Sequence, residues 1–567
     1  MVYIEYSTSQ SWPLNCVTIP LTCPTRLISQ QDAENTSRKP EESVREHANM
    51  TKPNPQTHRG IKSRHSQMMA IGGTIGTGLF VGVGEALAVG GPLSVLLGYL
   101  IMCLLVYSIL TATCEINAYL PISGCSMAYY GTRFVSPSLG CAMGYLYWVA
   151  FGVIVGYEIT AASVVIHYWP NEIPIAALVT VMLAVVVLLN LLPVRVYGEA
   201  EFWFASLKVF MILGLLILSV VLFFGGGPDH KRLGFHYWKD PGAINAYLVQ
   251  GDSGRFCAFL YVLCYSAFAF NFAPELLVIA SAEMQNPRQN LPRTAKMFFY
   301  RLLVFYIGSV LAVGVICPSN APGLTNGSGV AASPFVIAIK SAGIHGLDSV
   351  INAVIITSAW SAGNSSLYMS SRSLYSLAVA GGAPSIFTRC NRHGVPVYAV
   401  LSSSVFALLA YMNCSAGTST VFNWLVSLTN TAGFISWTCC CVIFHRFRKA
   451  CRVQSVTVDS LPYHSRLQPY LAWLATVAFP VLLLCNGFHV FFPGNWSVSS
   501  FLTAYVGLVI FIFVYLVHRV LHWSDPWLYS PHQVDLTSGL DEFDGMEEQY
   551  NEHEKQKSSN AFQVLWE

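Results

Sequence analysis

Gly72-Gly73-Thr74-Ile75-Gly76-Thr77-Gly78-Leu79-Phe80 opens the first long apolar stretch of the chain, with Gly82 and Gly84 close behind. Each glycine weakens a helix interior by about 1 kcal/mol relative to alanine. Six glycines within thirteen residues predict a segment that unwinds. Unwound amides, together with the N-terminus of the half-helix that follows, form an anion site by backbone geometry and dipole. A carboxylate suits such a site, which makes Thr74, Ile75, Gly76, Thr77 and Gly78 candidate binding residues. The same glycines also suit close helix packing at small-xxx-small spacing.

The 567 residues around this stretch are 54% hydrophobic and only 11% charged. A soluble domain carries about 25% charge, so the outside of this fold cannot be covered by charged groups, and a hydrocarbon solvent removes that need. The net charge is +2, and no basic stripe with interleaved aromatics points to nucleic acid. Most of the sixteen cysteines sit inside apolar runs, where a thiol behaves as a small hydrophobe. No CxxC pair, HExxH or G-x-S-x-G is present, so neither a metal site nor a catalytic residue is expected.

A helix needs roughly 20 apolar residues to cross hydrocarbon. Twelve such stretches lie near 66–88, 92–118, 139–166, 173–193, 203–224, 256–281, 298–318, 347–370, 395–413, 421–445, 468–489 and 499–521. Backbone groups in lipid must bond internally, so all twelve are read as helices. With the N-terminus cytoplasmic, 18 lysines and arginines fall on the inner side, Arg133 and Arg301 among them, against 5 outside. That bias sets both termini inside. Residues 1–59 read as a disordered tail, 60–524 as the membrane domain and 525–567 as an acidic, solvated tail.

The sixth span contains Phe268-Ala269-Phe270-Asn271-Phe272-Ala273-Pro274-Glu275. Pro274 removes the donor that the Phe270 carbonyl would use, and it pushes Ala273 from helical angles. A freed carbonyl at mid-membrane accepts an ammonium group, while an ordinary proline kink is the plain alternative. Breaks in spans one and six imply a five-span unit repeated in inverted orientation, the sequence pointer to a transporter site at the midplane. Phe270, Asn271 and Phe272 join the candidate binding residues. Phe268, Phe270 and Phe272 suggest an aromatic gate, but their spacing of two cannot put all three on one helix face.

Ionisable residues at bilayer depth are costly and functional by default. Glu158 in the third span, Glu275 after the second break and Lys208 in the fifth span stand out. Glu158 reads as a substrate contact or a structural acid, and Lys208 as buried or snorkelling to the interface. Glu85 and Glu115 lie nearer span ends and are expected in polar surroundings.

The glycine-rich stretch resembles the first-helix signature of the fungal amino acid permeases, the yeast amino acid transporter branch of the amino acid–polyamine–organocation superfamily. Tyr197-Gly198-Glu199-Ala200-Glu201-Phe202-Trp203, Asn286-Pro287-Arg288, Ser361-Ala362-Gly363-Asn364-Ser365-Ser366-Leu367-Tyr368 and Asn391-Arg392-His393-Gly394-Val395-Pro396 match in order, covering about residues 60–530. Ala273-Pro274 departs from the Gly-Thr that relatives often carry there. The resemblance implies an all-α leucine-transporter-type fold of 12 transmembrane helices, a 5+5 inverted repeat plus two peripheral helices. It implies amino acid import at the plasma membrane by proton symport, with the proton gradient as driving ion and no cofactor. Lys208 would stand in for a bridging cation, with Ser361 and Asn364 as neighbours and Glu275 as a proton-linked group. Ubiquitin-ligase adaptors would engage the cytoplasmic tails. A non-transporting sensor with the same fold, or a carrier of a related amine, are the alternatives.

Overall fold

A computed structural model describes residues 75–540, apart from short stretches at 123–125, 167, 170–171, 271, 283, 285, 326–332 and 415–417, together with positions 65, 68 and 545. Thr74, Asn271, the N-terminal tail and the end of the acidic tail lie outside the described residues.

The described chain is helical. A wide turn, Gly78–Gly82, leads into α1, Val83–Tyr119. α1 is two helical pieces joined at a corner. Gly91 has φ 76°, and Pro92 follows with no N–H to give. The hydrogen bonds lost at this corner are replaced from the loop near residue 244. Asn245 donates its N–H to the Gly90 carbonyl (3.1 Å), and Leu93 donates to Ala243 (2.9 Å). The Asn245 amide donates to Ala88 at 2.9 Å. Apolar surroundings leave no water to do this, so the loop is part of the helix's own bonding.

The helices that matter below are α2 (Met127–Phe134), α3 (Pro137–Ile166), α4 (Ile175–Leu191), α5 (Val194–Phe224), α6 (Gly251–Ser266), α7 (Ala273–Ala282) and α8 (Pro287–Tyr300). They continue as α9 (Gly308–Ile316), α10 (Leu347–Val379), α11 (Val397–Ser404), α12 (Thr418–Val453), α13 (Tyr470–Cys485) and α14 (Val498–Leu521). Among the described residues, eight helical stretches are long and apolar enough to cross a membrane, and two shorter apolar helices accompany them. The core helices α3, α10 and α12 bury most of their length. Gly144 of α3 faces Leu377 of α10 with no space for a methyl group, so these two helices meet through a small residue. α5 and α14 instead present Trp203, Phe210, Ile217, Phe224, Ile510 and Phe513 outward. Such continuous exposed apolar faces suit hydrocarbon.

The structure changes three expectations. Glu115 is fully buried rather than set in polar surroundings, and it is paired with Arg448, whose Nη2 donates to Oε2 at 2.8 Å. Arg301, counted with the inner basic residues, is buried within the bundle. The first part of the presumed tail is packed. Tyr529 donates its N–H to Val135 (3.0 Å), and Gln454 donates to the Pro531 and Val534 carbonyls (2.9 and 2.7 Å). Val534 and Leu536 are buried. Arg133 donates to the Asp535 and Ser538 carbonyls (2.7 and 2.8 Å) and pairs with the Asp535 carboxylate at 3.2 Å. Composition reported the charge of this stretch but not its two apolar anchors or the guanidinium waiting for its carbonyls.

Burial pushes the Asp535 carboxyl up, but hydrogen bonds from Ser538, the Arg133 charge and the Thr537 N–H outweigh it and hold the group below the usual carboxylate range. Its contribution to docking is therefore present above the ordinary carboxylate pKa and is lost as pH falls through the lowered value. Arg133→Ala is expected to raise protease cleavage within 525–540 several-fold at neutral pH with the rest of the protein uncut. Limited proteolysis of the purified protein checks this.

Candidate functional site

The first break is real. Ile75 and Gly76 are not helical, and Thr77 begins the helical run that leads into α1. The Ile75 carbonyl accepts a hydrogen bond from Ser358 of α10 at 3.1 Å. The exposed amides do not face open space. Glu158 of α3 reaches into the break, where its Oε2 accepts from the Thr77 N–H (3.4 Å) and the Thr77 hydroxyl (3.0 Å). That hydroxyl is shared with the Tyr157 hydroxyl at 2.9 Å. A side chain at position 76 would displace the Glu158 carboxylate from its present place and press on Ala362. The anion site read from the glycines is thus filled by the protein's own carboxylate.

The second break lies one residue before the expected place, at Phe272 rather than Ala273. α6 tightens into a 3-10 turn over Ala267–Phe270, and Phe272 takes φ 53°. Pro274 is already the second residue of α7, and Ala273 is helical. Proline at a helix start loses nothing, because that N–H has no intrahelical partner. Proline therefore restarts the helix, and a non-glycine residue in the left-handed region carries the interruption. The freed acceptor is Ala269, which accepts from Tyr306 at 2.9 Å, and Arg301 in turn donates to the Tyr306 hydroxyl at 2.8 Å.

The two breaks touch. A Cβ on Gly78 would lie 3.1 Å from both the Ala269 Cα and the Phe268 ring. Around this contact the phenylalanines part company. Phe268 packs on Tyr157 (4.5 Å), Phe270 stacks on Tyr306 (4.6 Å), and Phe272 sits edge-on to Phe151 (5.0 Å). Phe270 therefore belongs to the packing behind the site. Phe268 and Phe272, with Asn430 and Trp437 of α12, enclose a cavity of about 10 Å³. That is about the room of one water molecule, so an amino acid enters only if these walls move. A larger cavity of about 330 Å³, with Glu85, Tyr265, Trp424 and His489 in its wall, shares Asn430 with the small one and approaches from one end of the bundle.

The charged groups form two separate clusters. Glu275 accepts from Ser436 (2.6 Å) and the Trp437 indole (3.4 Å), and Ser436 also bonds Tyr147 (2.8 Å). Lys208 is buried, within electrostatic reach of Glu201, Glu158 and Arg301. Ser361 donates to both oxygens of Glu201, at 2.9 and 3.1 Å. Ser361 thus joins the Lys208 cluster through Glu201. The side-chain oxygen of Asn364 accepts from Asn190 of α4 at 2.8 Å. Glu201 was missed because it lies near a span end. Its spacing of seven from Lys208, two turns along one helix face, was the available signal.

Two interrupted helices in contact, inside an apolar bundle with buried charges beside them, define a membrane transporter of the broken-helix kind. The fold is similar to that of a manganese transporter of Eremococcus coleocola, with a TM-score of 0.54 at 13% identity, covering 81% of this chain and 94% of that one. Residues 65–525 match the model of the amino acid permease family. The chain is 45% identical to a proline-specific permease of Emericella nidulans, over 90% of this chain and 93% of that protein. It is 41% identical to a proline-specific permease of Saccharomyces cerevisiae, over 86% and 79%. The chain belongs to the amino acid permease family of multi-pass membrane proteins. Its relatives are transporters, not enzymes.

Gly78→Val pushes a branched side chain against the Ala269 backbone, an overpacking that costs about 1–3 kcal/mol. The expected result is a lower melting temperature for the purified protein and loss of substrate binding, read by thermal-shift and binding assays.

Proposed function

We propose that this permease imports small neutral amino acids, proline foremost, across the plasma membrane by proton symport with alternating access. The contact between the breaks at Gly78 and Ala269, ringed by Phe268, Phe272 and Trp437, carries this reading. When the walls part, the Thr77 region offers amide donors to a carboxylate, and the break after Phe270 offers carbonyls to an ammonium group. The rings suit an apolar side chain. Proline is favoured because both proline-specific relatives match most of their length. The architecture proposed is twelve spans, a 5+5 inverted repeat plus two peripheral helices, with both termini cytoplasmic. Tail lysines would then be within reach of ubiquitin-ligase adaptors.

Coupling follows from who holds the first break. A substrate carboxylate and the Glu158 carboxylate need the same Thr77 donors. Two anions do not share one small apolar site unless a proton or a cation compensates. Lys208 and Glu201 stand beside Glu158 and can hold or pass that charge. Proton arrival would free the break for substrate, and proton loss would return Glu158 to it.

Labelled proline supplied to a permease-deficient yeast strain expressing this chain is expected to accumulate faster at acidic pH and to be chased by unlabelled proline. Failure of every common amino acid to accumulate would sink the proposal. Lys208→Ala is expected to reach the membrane and lose at least tenfold in pH-driven accumulation. Normal concentrative uptake by that variant would remove Lys208 from the coupling step.

A further inference from the structure

At the end of the bundle where residues 525–540 dock, the C-terminal part of α12, the loop after it and the start of α13 enclose a cavity of about 1110 Å³. Five permanent cations line it: Arg446, Arg448, Lys449, Arg452 and Arg466. Glu115 engages Arg448. Arg446 donates to the Tyr529 carbonyl, which carries no charge, and its Nε is buried without a hydrogen-bond partner. Among the described residues, no carboxylate stands in the wall beside Lys449, Arg452 and Arg466. So many like charges around one concavity repel one another, and they draw in an anion with several acceptor oxygens. Guanidinium forks favour a phosphate.

A second observation says what the phosphate is attached to. Trp473 lines the cavity and is also largely exposed on α13, pinned by a ring stack on His445 at 4.1 Å. From it an exposed apolar stripe runs along the helix through Leu474, Val477, Val481 and Leu484. Tyr470 and Trp473, both exposed at the helix start, mark an interfacial aromatic belt. The cavity therefore opens where a membrane interface meets hydrocarbon. We infer that this cavity is a binding site for the phosphate-bearing headgroup of an anionic membrane lipid, whose acyl chains lie along α13. The basic residues earlier read only as an orientation signal thus form a recognition site of the kind basic pockets between membrane helices provide.

The full-length protein, stripped of lipid in detergent, would be offered phosphatidylserine and phosphatidylcholine in equal amounts, and retained lipid counted by native mass spectrometry. The expected result is at least a tenfold preference for phosphatidylserine that falls with added salt. The variant Lys449→Gln/Arg452→Gln/Arg466→Gln, altered only at exposed positions, should lose that preference. Trp473→Ala should weaken retention with the cations intact. No preference in the native protein, or an unchanged preference in the triple variant, overturns the site. Inorganic phosphate in a parallel arm separates the sources. Displacement of phosphatidylserine by millimolar phosphate, with Trp473→Ala silent, would overturn the lipid in favour of a free anion.

Discussion

The approach of the Gly78 backbone to the Ala269 backbone, with the Glu158 carboxylate seated at Gly76, is the constraint around which the bundle is arranged. Both chains have given up helical hydrogen bonds at this level, and lipid offers none in return. Each released group must therefore find a partner on another helix. Ser358 serves Ile75, Glu158 serves Thr77, and Tyr306 serves Ala269. These three bonds tie α10, α3 and the segment between α8 and α9 to one point. Helices that supply such partners cannot be moved without leaving a polar group bare.

The buried charges obey the same rule in small, closed groups. Glu115 sits with Arg448, Glu275 with Ser436 and Trp437, and Arg301 with Tyr306. The set of Lys208, Glu201 and Glu158 differs in its position, because one of its members, Glu158, bonds the first break. Glu158 belongs to this set and also holds the backbone donors of the break, so the two are joined through one side chain. Position, more than the chemistry of any one residue, makes this cluster a candidate for energy coupling. Glu275, bonded to neutral donors and set apart, lacks that link.

Reading from residues worked where a local rule governs the outcome. The glycine run at 72–84 predicts unwinding, and Ile75 and Gly76 are unwound. The sixth-span interruption is also local, but Phe272 rather than Pro274 carries it. Proline at the second position of α7 restarts a helix that Phe272 had already ended. The surroundings of Glu201, Arg301 and Asn364 are not legible in the residues beside them. Glu201 takes its hydrogen bonds from Ser361 and Asn364 takes one from Asn190, each on a helix distant in sequence, whereas the partner of Arg301, Tyr306, is five residues away but faces the bundle interior. Nothing in the chain near Asn364 announces Asn190.

By itself the sequence determined that this chain is a bundle of membrane-spanning helices, that two of them are interrupted, and that a few charges lie between them. These follow from hydropathy and from the conformational freedom of glycine, which act over a few residues. Only the tertiary structure decided that Glu158 occupies the first break, that Tyr306 covers the second, and that the first part of the presumed tail is bound to Arg133. Such pairings depend on where helices cross. Crossing is set by the fit of side chains that are far apart in the chain, and no local pattern records it.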